Sequence, residues 1–121
     1  MKKIYIACPY GHLDPFIKLI RTQLSEAYQA TLLNQGYNAI SPISGHYMCQ
    51  VNDVDDSSIR WLEINRQIVE ICDEIHILML KGWDKSTGIQ NTIDQAKELG
   101  MKVKMIDPED LWLSIATEII A

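Results

Sequence analysis

The chain has 121 residues, 47% hydrophobic and 22% charged, with a formal net charge of -5, which suits one domain with its own core and excludes two independent ones. Its eleven lysines and arginines are scattered rather than gathered into a stripe, arguing against direct nucleic-acid binding. No apolar run approaches the roughly 20 residues that span a bilayer, and Met1-Lys2-Lys3 leads into a short apolar segment without a signal-peptide pattern, so a cytoplasmic protein off the membrane is expected.

Lys3 to Cys8 is a compact apolar run ended by Pro9-Tyr10-Gly11, which predicts a buried strand and a turn. From Asp14-Pro15 to Gln35, Phe16, Ile20, Leu24, Ala27 and Thr31 recur at steps of three and four, and Gly36 supplies a stop, so a first helix is expected with that face packed. Tyr37 to Ser41 reads as a second strand closed by Pro42, and Ile43 to Asp56 reads as a loop because it has no sustained period.

Asp56-Ser57-Ser58 is a plausible cap for a second helix that packs through Trp61, Ile64, Ile68 and Ile71 and ends near Cys72. Glu74 to Leu80 is the strongest strand signal and is expected to be central. After a loop from Lys81 to Gly88, a third helix presents Ile89, Ile93, Ala96 and Leu99 and stops at Gly100. Lys102 to Ile106 is the fourth strand, and Asp107-Pro108 opens a last helix with Leu111, Trp112, Ile115, Ile119 and Ile120.

Strands alternating with helices predict a single α/β domain over 1–121, a doubly wound, Rossmann-like parallel sheet of four or five strands flanked by helices. Ligands in such sheets gather outside the strand carboxyl ends, where the loops after the first three strands converge. Those loops carry Ala7, Pro9 and Tyr10; Ser44 and His46; and Trp83, Asp84, Ser86, Thr87 and Gly88. Ser86-Thr87-Gly88 stands at a helix N-terminus, where free N–H groups favour an anion, although a serine or threonine there more often only caps the helix. Tyr10 is placed to stack on a ligand, and His46 could contact phosphate or act as an acid or base. His76 alternates with isoleucines and reads as structural, while Tyr5 fits packing as well as binding. No GxxxxGK[ST] or GxGxxG run is present, so neither a P-loop nor a dinucleotide cofactor is indicated. Cys8, Cys49 and Cys72 lack CxxC or Cys/His ligand spacing, so neither a disulfide framework nor a metal site is expected, and Cys8 and Cys72 read as core thiols.

Ile4-Tyr5-Ile6-Ala7-Cys8-Pro9-Tyr10 and Gly82-Trp83-Asp84-Lys85-Ser86-Thr87-Gly88, the latter of form G-W-x-x-S-x-G, resemble two signatures of the nucleoside 2-deoxyribosyltransferase-like superfamily. Within it the chain is similar to short bacterial and phage domains. The resemblance implies a nucleotide or nucleoside ligand, chemistry at the N-glycosidic bond, and frequent homo-oligomers. It also implies a glutamate nucleophile six positions beyond Ser86, where this chain has Thr92, and an orienting aspartate four beyond Trp61, where it has Asn65. An oxocarbenium-like transition state is served by an adjacent carboxylate, which neither residue supplies.

Three readings follow. One is a protein that binds or sequesters a nucleoside monophosphate or ADP-ribose-like signal with lost or weakened N-glycosidase activity. Another is an active N-glycosidase or deoxyribosyltransferase whose acid is displaced to Asp84, Asp94 or a neighbouring subunit. The third is an oligomeric interaction module with a vestigial pocket.

Overall fold

The computed structural model describes residues 1–55 and 59–109. Four strands, β1 Lys3–Ala7, β2 Asn38–Ile40, β3 Glu74–Leu78 and β4 Lys102–Ile106, form one sheet in the order β2-β1-β3-β4, and every neighbouring pair is parallel. β3 is internal, as its uninterrupted burial requires. The helices are α1 Pro15–Asn34, α2 Ile43–Val51, α3 Trp61–Ile71 and α4 Thr87–Leu99. This is the α/β, Rossmann-like arrangement expected.

Strand alternation divides the core in two. Ile4, Ile6 and Leu78 pack with Leu24, Tyr28 and Leu32 of α1 and Ile43 of α2. On the opposite face Tyr5, Ala7, Ile75 and Ile77 pack with Val69 of α3 and with Ile89 and Ala96 of α4. The sheet is therefore covered from both sides, and each βα connection turns over at its carboxyl edge.

Three local expectations are corrected. Ile43 to Asp56 is not all loop: its first nine residues form α2, which starts at Pro42 with helical backbone angles and buries Ile43 and Cys49. Ser44, Gly45 and His46 are weak helix formers, so contact with α1 rather than propensity supports this helix. In α1 the packed stripe is Thr22, Leu24, Ser25, Tyr28 and Leu32, whereas Phe16 is 62% exposed and Thr31 is also outside. In α3 Val69 is fully buried while Ile64 and Ile71 are exposed; Trp61, Asn65, Ile68 and Val69 turn inward. The expected Asp56-Ser57-Ser58 cap and the body of the last helix lie outside the described residues.

Helix ends follow capping chemistry. Asp14 accepts from the Phe16 N–H ahead of Pro15, and Ser86 Oγ accepts from the Ile89 N–H. Gly100 closes α4 with φ 65°, a left-handed conformation that favours glycine.

Candidate functional site

A cavity of about 370 Å³ lies at the carboxyl end of β1, within the range of small-molecule sites. Tyr5 to Cys8, Tyr10 and Gly11 come from β1 and its turn; Pro42, Ile43 and His46 come from the start of α2. Trp61, Leu62, Asn65 and Arg66 come from α3, and Ser86, Gly88, Ile89, Asn91, Thr92 and Gln95 from the start of α4. The sheet order explains the convergence. β1 lies between β2 and β3, so the turns leaving all three meet above it.

An aromatic ladder forms part of the lining. The His46 and Trp61 rings stack with centroids 4.1 Å apart at 26°, and Tyr10 lies 5.4 Å from His46 at 42°. The Tyr10 hydroxyl donates to Gln50 Oε1 at 2.9 Å, which ties the β1 turn to α2. Arg21 ties two further loops together: Nη1 donates to the Gly11 carbonyl at 3.0 Å and Nη2 to the Lys81 carbonyl at 2.9 Å. Gly82 follows with φ 92°, opening the 3-10 turn Trp83–Lys85 that leads into α4.

Thr92 and Asn65, the two positions where the resemblance implies acids, both line this cavity. Thr92 is buried and its hydroxyl donates to the Gly88 carbonyl at 3.0 Å. Tyr5 also lines the cavity; its phenol is pushed up to about 12 by burial, partly offset by the Thr92 hydroxyl. A threonine whose proton is committed to a helix carbonyl is poorly placed to act as a nucleophile.

The other candidates divide. Ala7, Tyr10, His46, Ser86 and Gly88 line the cavity, whereas Pro9, Ser44, Trp83, Asp84 and Thr87 do not. Ser86 Oγ is engaged as the α4 cap. Ser44 Oγ donates to Ser41 Oγ at 3.1 Å, part of a buried hydroxyl chain that reaches Ser25 at 2.6 Å. Trp83 packs against the α3 and α4 side of the core. Asp84 is exposed in the 3-10 turn, and Asp94 is exposed on α4, accepting from Gln90 Nε2 at 3.0 Å.

Arg66, Asn91 and Gln95 line the cavity without having been singled out from sequence. Gln95 is 3% exposed and donates to the Arg66 carbonyl at 2.9 Å, joining α4 to α3. Helical spacing held the signal for α4: Gly88, Asn91, Thr92 and Gln95 fall on a polar stripe beside the apolar one.

Charge among the described lining residues is one-sided: they include Arg66 and no carboxylate. Cys8 also lines the cavity, but burial pushes this thiol up to about 12 despite the Arg21 charge, so it remains protonated. No cluster of metal-ligating side chains occurs among the described residues, and none of their helices is long and apolar enough to cross a membrane.

Fold and cavity together define the chain as an α/β protein of the Rossmann-like, parallel-sheet class with a cavity at the strand carboxyl ends. The domain of unknown function DUF1937 matches residues 2–107, and the chain belongs to that family. No curated protein matches the chain.

Proposed function

We propose that this protein binds a nucleotide or nucleoside-derived ligand, such as a nucleoside monophosphate or an ADP-ribose-like molecule, and that it sequesters or senses this ligand rather than cleaving it. The reading rests on one observation: a nucleoside-sized cavity bearing the Tyr10, His46 and Trp61 ladder has Arg66 and no carboxylate among its described lining residues. Aromatic rings offer a base a stacking face, and Asn65, Asn91 and Gln95 offer amides to sugar hydroxyls or base edges. A cation forming at an anomeric carbon would find no compensating charge among these described residues. The resemblance to nucleoside 2-deoxyribosyltransferase-like proteins supports the same ligand class.

A displaced catalytic acid has less support, because Asp84 does not line the cavity and Asp94 is bonded to Gln90 on the exposed side of α4. Calorimetry against nucleosides and nucleoside monophosphates of each base, with chromatography for released base, tests the proposal. Binding without base release is the expected result. Absence of binding across the panel would overturn ligand binding, and release of free base would overturn the loss of catalysis.

A further inference from the structure

A second depression, of about 730 Å³, runs along the outer side of α3 between Ile59 and Glu70. Trp61, Leu62 and Arg66 line both this groove and the inner cavity, so these three residues stand at the junction of the two. Arg66 is exposed and makes no ion pair with any described carboxylate. In contrast, Arg60 in the groove has Glu63 Oε2 at 3.5 Å from its Nη1. An unneutralised guanidinium between two depressions suits a phosphate, which it can meet with paired, charge-assisted hydrogen bonds.

Resting on the nucleoside reading of the inner cavity, we infer that the ligand is bipartite: a nucleoside diphosphate carrying a further group on its distal phosphate. The nucleoside occupies the inner cavity, the phosphates cross at Arg66, and the distal group lies in the groove beside Arg60 and Gln67. The inner cavity is nucleoside-sized, and the larger depression beyond Arg66 would be left unused by a monophosphate. Phosphate placement at Arg66 also does not require the start of α4, whose Ile89 N–H is already taken by Ser86 Oγ.

Titration calorimetry of the full chain tests this with adenosine, AMP and ADP-ribose, and in parallel with uridine, UMP and UDP-glucose. In whichever base series binds, the diphosphate-linked compound is expected to bind at least tenfold more tightly than the monophosphate. Arg66→Gln should weaken both phosphate-bearing compounds tenfold or more and the nucleoside less than threefold. The Gln95 bond goes to the residue 66 backbone, so that variant keeps it. Arg60→Glu should weaken only the diphosphate-linked compound, by about fivefold. If the monophosphate binds as tightly as the diphosphate-linked compound, the bipartite ligand is wrong while the nucleoside reading stands. Equal weakening of nucleoside and phosphate-bearing compounds in Arg66→Gln would reduce Arg66 to a structural role and overturn the phosphate placement. No binding by any of the six would remove both readings together.

Discussion

Gly45 lies directly beneath the Trp61 indole: a Cβ at residue 45 would sit 3.3 Å from Cη2 and 3.4 Å from Cζ3. That approach is tighter than ordinary van der Waals contact, so the indole would have to shift by a few tenths of an ångström. Gly45 is in the first turn of α2, where alanine would add up to about 1 kcal/mol of helix propensity. The two effects oppose each other. Gly45→Ala is therefore expected to change global stability by no more than about 1 kcal/mol in urea unfolding. The larger Gly45→Val should displace Trp61 from His46 and weaken nucleoside binding severalfold in calorimetry. Unchanged affinity in Gly45→Val would separate the aromatic ladder from ligand binding.

The α3 helix gives a sharper contrast. Val69 is fully buried and Ile71 is 65% exposed, although helical spacing puts Ile71, with Trp61, Ile64 and Ile68, on the packed face. Val69→Ala removes two methyl groups from the sheet interface and should cost about 2 kcal/mol, by transfer of about 0.8 kcal/mol per carbon plus a cavity contribution. Ile71→Ala should stay within about 0.5 kcal/mol, as other surface changes do. Equal losses in chemical denaturation would mean that the helix face is assigned wrongly.

That contrast shows where sequence reading succeeded and where it stopped. Strand β1 is a compact apolar run and β3 sets Ile75, Ile77 and Leu78 around His76, both bounded by turn residues, so their presence and parallel pairing were legible. Gly36 and Gly100 marked helix ends through backbone conformations that glycine adopts freely. The facing of α3 was not legible. Apolar residues occupy two adjacent stripes, and the inward one includes polar Asn65 because a cavity, rather than solid core, faces it. Helix α2 was hidden for a related reason: Ile43 and Cys49 are its only buried positions, too few to define a period. Ser44 and Thr87 looked like site residues by their position in loops, but only three-dimensional placement sets them outside the cavity lining.

A buried polar chain on the α1 side of the sheet makes stability depend on pH. The Tyr28 hydroxyl lies 2.6 Å from His76 Nδ1, His76 Nε2 lies 2.7 Å from Glu74 Oε1, and Lys2 Nζ lies 3.2 Å from Glu74 Oε2. Burial holds His76 below its usual 6.5, with the Glu74 bond pulling upward and the Lys104 and Lys102 charges pushing down. Burial alone would raise Glu74, but its bonds to His76 and Lys2 prevail and hold it below 4.5. With Glu74 ionised, Nε2 carries the imidazole proton and Tyr28 donates to Nδ1. Both folded-state values are depressed, so both contributions are complete above the unfolded values and decline on acidification. The His76 contribution is full above about pH 6.5 and falls as pH drops toward its folded value, with a slope of at most about 1.4 kcal/mol per pH unit for one proton. Urea midpoints should therefore be lower at pH 5.5 than at pH 7.5 in the wild type. His76→Gln should be less stable at pH 7.5 and lose most of that difference, and a wild type with flat midpoints would refute the account.

The hydroxyl chain of Ser25, Ser41 and Ser44 fastens α1 to β2 and α2. Ser25 is fully buried and Ser41 is 5% exposed, so water is poorly placed to replace a missing partner. Ser25→Ala removes one partner and should cost about 1–2 kcal/mol. The paired change Ser25→Ala with Ser41→Ala should cost less than the sum of the two single changes, because it leaves no orphaned hydroxyl between them. A double-mutant cycle in urea measures the coupling, and strict additivity would show that the bond contributes nothing.

Thr92 links candidate chemistry and folding, and the two roles call for opposite results from one substitution series. If its hydroxyl is structural, bonded to the Gly88 carbonyl and close to the Tyr5 phenol of a residue 3% exposed, Thr92→Val keeps the volume but takes that polar partner away from both. A buried polar group left without its partner costs about 1–3 kcal/mol, and threonine and valine differ little in helix propensity, so the loss should appear in global stability. Thr92→Ser retains the hydroxyl and should cost about 1 kcal/mol or less, for one methyl group. Nucleoside binding should change less than threefold in Thr92→Ser, since Asn65, Asn91 and Gln95 remain in the lining. A nucleophilic threonine would behave differently: Thr92→Val would abolish base release and leave stability nearly unchanged. Urea unfolding of both variants, with chromatography for released base, distinguishes these outcomes. Wild-type stability in Thr92→Val would remove the structural role assigned to this hydroxyl.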